Sequence, residues 1–188
     1  MEVAADLAAA VRRDDGSGGD SQMMTVRRAV HHLVAPPWLV RRAFPKAALD
    51  RIEAAVTASE QTHRGEIRFA VEGALEFLPV LHGLTAHQRA LDVFSLLRVW
   101  DTEENTGVLI YLQVVDREIE IVADRGIAHR IPQHQWDAIC RRMETAFAQA
   151  RYDEGVIAGI AEVSELLARH FPAGTINPDE LPNKPAIL

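Results

Sequence analysis

Cysteine is almost missing. Cys140 is the single thiol in 188 residues, which excludes a disulfide framework and any cysteine-based zinc cage. Positive charge is in deficit: 20 Lys and Arg stand against 27 Asp and Glu, a formal net charge of −7. Nucleic acid is therefore not an expected partner, because phosphate binding needs a net basic face. No apolar run approaches the roughly 20 residues that span a bilayer. Glu2 and Asp6 interrupt the N-terminal stretch where a secretory signal needs a basic start and an unbroken apolar run. The expectation is a cytoplasmic protein. Phosphate-cradling loops of the GxxxxGK[ST] or GxGxxG kind are missing, as are a GxSxG elbow and an HExxH pair. What is present is 48% hydrophobic, enough for one domain with a real core.

Four segments differ in character. Residues 1–22 are acidic and Gly/Ser-rich around Gly16-Ser17-Gly18-Gly19 and are expected to be disordered. Residues 23–44 carry Arg27, Arg28, Arg41 and Arg42 and no acid. Val26, Val30, Leu33 and Val34 recur near helical spacing there, and Pro36-Pro37 must break the helix. This basic arm has two readings. Its Val26/Val30/Leu33/Trp38 stripe packs on the domain, or it lies on a membrane surface with its arginines toward lipid phosphates. Residues 45–172 hold the regular elements, and residues 173–188 read as a Pro-rich extended tail.

Within the domain, Pro45 opens a helix carrying Leu49, Ile52, Val56 and Ser59, closed near Gly65. Glu66 through Glu72 alternate apolar and polar, the mark of a half-exposed strand. Residues 73–84 read as a loop. Thr85 is a plausible N-cap for a helix carrying Leu91, Phe94, Leu97 and Trp100. Val108 through Val115 are almost unbroken apolar, as a strand covered on both faces requires. Asp116-Arg117 turns into an alternating edge strand, Glu118 through Ala123. Two further helices follow, one with Trp136, Ile139, Met143 and Phe147 on a face and one with Val156, Ile160, Val163 and Leu167. Gly155 and Gly159 on the last allow close helix packing. The order is α-β-α-β-β-α-α. Its βαβ unit makes the first two strands parallel, and the hairpin adds an antiparallel third. The expected fold class is α/β, a three-layer α/β/α sandwich with a small mixed sheet.

Candidate chemistry is sparse. Cys140 sits beside Ile139 on a helix and reads as an inert buried thiol. The eight histidines are scattered without ligand spacing. The acidic loop Asp101 through Gly107 is the best candidate. Asp101, Glu103 and Asn105 alternate like the start of a calcium loop, although the glycine comes late and position twelve is Leu112. Topology gathers Glu66, this loop with Glu104, and Asp124 at one end of the sheet. Hard oxygens from three segments could there hold Ca²⁺ or Mg²⁺; the other reading is a solvated acidic rim with ordinary turn chemistry.

Gly65-Glu66-Ile67-Arg68, Asn105-Thr106-Gly107-Val108-Leu109-Ile110 and the run Asp116-Arg117-Glu118 to Asp124-Arg125-Gly126-Ile127, followed by Trp136 to Phe147, Tyr152, Gly155, Gly159-Ile160 and His170-Phe171-Pro172, together resemble the TPM domain family. The resemblance covers about residues 45–172. The surroundings of Trp100-Asp101 and the Glu180-Leu181-Pro182 tail resemble a bacterial branch of it. The resemblance implies a compact α/β/α sandwich. Members of the family are linked to photosystem II repair, to an acid phosphatase activity, to bacterial membranes and to receptor modulation. It also implies divalent-cation binding, calcium in particular, at the pole of Asp101, Asn105 and Asp124 with Glu66 nearby. Many members carry a signal peptide and a C-terminal membrane helix, which this chain is not expected to have. The first expectation is a non-enzymatic accessory module that binds a cation and a protein partner. The alternative is a metal-dependent phosphomonoesterase with Arg125 and Arg68 on the phosphate, activating water at the cation. A lower alternative is a peripheral membrane protein docking through residues 23–44.

Overall fold

The computed structural model describes residues 18–174 and 179–188. Its helices are α1 (Gly18–Val34), α2 (Leu39–Ala43), α3 (Lys46–Ser59), α4 (Phe77–Leu81), α5 (Ala86–Leu96), α6 (Arg125–Ala128), α7 (Gln133–Ala148) and α8 (Tyr152–His170). Its strands are β1 (Glu66–Glu72), β2 (Gly107–Gln113), β3 (Glu118–Ala123) and β4 (Ala186–Ile187).

The sheet runs β3-β2-β1-β4. β1 and β2 are parallel, with Glu66 beside Gly107 and Glu72 beside Gln113. β2 and β3 form the antiparallel hairpin. Alternation along the strands separates two cores. Ile67, Phe69, Val71, Val108, Ile110 and Leu112 face α3, α7 and α8. Ala70, Leu109, Tyr111 and Val122 face α5 and the chain's end. The architecture is thus the expected three-layer α/β/α sandwich with a mixed sheet, as the periodicities require.

The helix boundaries follow local chemistry. Pro45 and Pro132 stand at the N-caps of α3 and α7, where a missing N–H costs nothing. Thr85 accepts from the Gln88 N–H while the Gln88 side chain accepts from Thr85, a closed capping box. Trp136, Ile139, Met143 and Phe147 are buried on α7, and Val156, Ile160, Val163 and Leu167 on α8. α7 and α8 meet at Gly155 and Gly159, where a Cβ would collide with Phe147 and Met143.

Several expectations are corrected. Residues 73–84 are not only loop, since α4 lies within them. α5 turns Ala86, Ala90 and Val93 inward and leaves Leu91 exposed, because small alanines let the helix lie close on the sheet; it ends at Leu96, so Trp100, also exposed, lies beyond it. β1 is buried on both faces rather than half-exposed. The reason is the C-terminal tail, which buries Leu181 and adds β4 parallel to β1. Of the acidic segment 1–22, residues 1–17 lie outside the described residues, and residues 18–22 belong to α1. The basic arm does pack, but through Ala29, His32, Val40 and Phe44; Val26, Val30, Leu33 and Trp38 are exposed. No described helix is long and apolar enough to cross a membrane.

Candidate functional site

The parallel register of β1 and β2 brings their starting residues to one end of the sheet. Glu66 opens β1 and Gly107 opens β2. Asp124, just past β3, returns there, its N–H donating to the Gly107 carbonyl at 2.9 Å. Two glycines make this pole possible. A Cβ on Gly107 would lie inside the Val99 carbonyl, and one on Gly126 would lie 2.5 Å from the Asn105 carbonyl oxygen. Only glycine allows the α6 turn to seat on the 102–107 loop.

The sequence-derived ligand candidates converge on this pole but divide into two groups. On the loop side, Asp101 pairs with Arg98 at 2.7 Å and Glu104 pairs with Arg64. Asn105, in the left-handed region at φ 55°, accepts from Arg125 Nε at 3.0 Å through Oδ1. Asp124 caps α6, its Oδ1 accepting from the Arg125 N–H at 2.7 Å. Its other oxygen is buried without a hydrogen-bond partner, on a residue only 8% exposed.

Glu66 belongs to the other group. One of its carboxylate oxygens lies within 4.8 Å of one from Glu60 and one from Asp179. Among the described residues, this is the one set of three or more His, Cys, Asp or Glu so arranged. Glu60 follows the last turn of α3, and its Oε1 accepts from the Ile67 N–H at 3.4 Å. Glu66 is 2% exposed, and its Oε2 accepts from the Leu181 N–H at 3.1 Å. Asp179 comes from the tail and is exposed. The three border a cleft of about 370 Å³ lined also by Thr57, Gln61 and Asn183. Asn183 Oδ1 is a buried oxygen without a hydrogen-bond partner.

Electrostatics mark this cleft. Burial first, and then the charge of Glu66, push the Glu60 carboxyl up to about 8. Burial raises Glu66 to about 7, against the opposing pull of the Leu181 and Glu180 N–H groups. Two carboxylates at the 4.8 Å limit of this set repel by about 3 kcal/mol at an effective dielectric of about 20. The group holds its ionised form poorly unless a proton or a cation joins it.

The tail fastens the pole. Arg68 donates to the carbonyls of Pro182 and Lys184, Glu180 Oε1 accepts from the Glu103 N–H at 2.9 Å, and Asn183 Nδ2 reaches Thr57 Oγ1 at 3.1 Å. The two arginines considered for phosphate, Arg68 and Arg125, are therefore engaged with protein acceptors. Cys140 is half-buried, and burial pushes its thiol up to about 12, consistent with an unreactive side chain.

Sequence reasoning missed Glu60 and Asp179. Glu60 stands six residues before Glu66, at the end of a helix whose last residue, Ser59, is buried. The lone Leu181 amid prolines and charges was the signal that the tail docks.

Comparison with known proteins adds the lineage. The model of the TPM domain matches residues 42–166. No curated protein matches the chain. Among solved structures, the chain is similar to the NMR structure of the BA42 protein from the psychrophilic bacterium Bizionia argentinensis. The TM-score is 0.69 at 30% identity, covering 77% of this chain and 95% of that one. It is also similar in fold to the N-terminal domain of a protein from P. gingivalis. There the TM-score is 0.53 at 18% identity, covering 74% of this chain and 92% of that one.

Proposed function

The chain belongs to the TPM domain family, and on that premise we propose that it is an accessory interaction module whose C-terminal tail is fastened by a divalent cation, Ca²⁺ in the first place. The observation that carries this reading is the convergence of the Glu60, Glu66 and Asp179 carboxylates within 4.8 Å, two of them buried. Their donor set is hard oxygen throughout. Asn183 Oδ1 adds a neutral oxygen on the same cleft. Such a set suits Ca²⁺, which takes 6–8 oxygens in flexible geometry, better than Mg²⁺, which demands a near-ideal octahedron.

The cation would supply positive charge where the fold has buried negative charge. Its effect on this chain follows from where the ligands sit. Glu60 ends α3, Glu66 starts β1 and Asp179 lies in the tail that becomes β4. A cation bridging them ties the tail to the core and presents its outer surface to a protein partner. When the cation leaves, Glu60 and Glu66 take up protons in its place.

Mn²⁺ titration followed by amide NMR tests this reading. Paramagnetic broadening should centre on residues 60–61, 66–67 and 179–181. Broadening centred on Asn105 and Asp124 would move the cation to the loop. Phosphomonoester turnover by the Ca²⁺-loaded protein, lost in Asp124→Asn, would favour the hydrolase reading instead.

A further inference from the structure

Helix α1 is amphipathic, but its wide apolar arc faces away from the protein. It rests on the domain through a narrow stripe: Ala29 and His32 are buried, with Thr25 and Arg28 half-buried. Ala29 packs with Leu75 and Val80. A polar latch fixes this orientation. Arg28 Nε donates to Asp116 Oδ2 at 2.8 Å and Arg28 Nη1 donates to the Leu84 carbonyl at 2.6 Å. The Leu75 N–H donates to His32 Nδ1 at 3.0 Å, so the ring proton sits on Nε2 and is donated to Asp116 Oδ2, also 3.0 Å away.

The opposite side carries Met23, Val26, Val30, Leu33 and Val34, all exposed, Leu33 and Val34 by 65% and 68%. At 100° per residue these five positions fill an arc about 100° wide, the width that a helix normally turns to a core. Exposed Arg27 and His31 border the arc. Beyond the Pro36-Pro37 break, Trp38 is 52% exposed, with the Arg42 guanidinium 5.7 Å from its ring centroid. Arg41 is exposed beside it. A shallow depression of about 230 Å³ lies along α1, lined by Met24, Arg27, Arg28, His31 and Asp116. From residue 23 to residue 44 there is no acid, so all 27 carboxylate side chains lie elsewhere in the chain.

We infer that residues 23–44 form a docking face for an anionic membrane surface. The apolar arc enters the acyl boundary, Trp38 sits at headgroup level, and Arg27, Arg41 and Arg42 meet lipid phosphates. Charge decides the occupant. A second copy of the chain would set this basic face against itself across a two-fold axis. The acid-rich remainder of the molecule is repelled by the same bilayer, which selects one orientation. The latch residue Asp116 lies at the far end of the strands from Glu66. The cation cleft then stands about 20 Å away, at the opposite end of the sheet.

The test is co-sedimentation of the full chain, in chelator, with vesicles of equal parts phosphatidylglycerol and phosphatidylcholine, and with phosphatidylcholine alone. Chelator keeps the result independent of the cation site. The expected result is partition onto the anionic vesicles only. Arg27→Glu/Arg41→Glu/Arg42→Glu should lower the partition coefficient about a hundredfold or more, at about 1 kcal/mol per basic residue. Val30→Ser/Leu33→Ser should lower it at least tenfold with an unchanged thermal midpoint. No partition, equal partition onto both vesicles, or variants that partition like the parent would overturn the inference. So would a concentration-dependent dimer that Leu33→Ser dissolves.

Discussion

Glu60 and Glu66 tie stability to pH in a direction opposite to that of most surface carboxylates. Both have native carboxyls above the ordinary value of 4.5, at about 8 and about 7. The native state therefore binds more protons than the unfolded state between those limits. Stability from this pair is complete below about pH 4.5 and is lost as pH rises through 7 and 8. His63 acts oppositely at the acid end: burial lowers its imidazole to about 4, so its contribution is lost as pH falls below about 6.5. Between about pH 6.5 and 8.5 only the carboxylate effect remains of these two. Across that window Glu66 loses about half a pKa unit and Glu60 about one and a half, so at 1.36 kcal/mol per unit the cation-free protein should lose about 3 kcal/mol. For a chain of this size that is a fall in Tm of about 6–12 °C. Saturating Ca²⁺ should restore about 3 kcal/mol at pH 8.5 when present at 100 times its Kd. The assay is thermal unfolding in chelator and in Ca²⁺, at closely spaced pH, on the parent and Glu60→Gln. The substitution should flatten the slope and raise the Tm at pH 8.5. A Tm that is constant or rises with pH in the cation-free parent would refute the reasoning, as would an unchanged slope in Glu60→Gln.

Other consequences are local. Gly126→Ala should cost about 1–3 kcal/mol in urea unfolding, because its Cβ would press on the carbonyls of Asn105 and Glu104. Glu72→Gln should cost about 2 kcal/mol by the same measurement. Buried Glu72 holds a two-pronged pair with Arg89 and accepts from the Tyr111 hydroxyl at 2.6 Å. Asp116→Asn should weaken the α1 latch and speed tryptic cleavage at Arg27 or Arg28 about tenfold, read by mass spectrometry.

The fold was legible where a single face decides it. The unbroken apolar run of β2 called for burial on both sides, and the stripes of α7 and α8 named their core residues one by one. The parallel β1–β2 pair followed from the intervening helix. What stayed hidden depends on distant chain. β1 alternates because Glu66 and Arg68 are polar, yet Glu66 is buried by the tail, whose N–H groups meet its carboxylate. An edge strand of two residues, Ala186–Ile187, carries no periodicity of its own. The helix over residues 26–34 was readable from spacing. Which of its faces is inward was not, because the deciding latch joins Arg28 and His32 to Asp116, more than eighty residues away. The pole was legible from topology. The carboxylate triad was not, since Glu60 and Asp179 reach Glu66 only in the folded chain.

Calorimetric titration of Ca²⁺ into chelator-treated protein, repeated on Glu66→Gln/Asp179→Asn and on Asp101→Asn/Asp124→Asn, tests the cation-fastened tail most directly. The expected result is saturable binding in the parent, retained in the loop variant and lost in the Glu66/Asp179 variant with its fold intact. No binding heat in a folded parent, at more than one temperature, would contradict it, and so would binding that survives Glu66→Gln/Asp179→Asn.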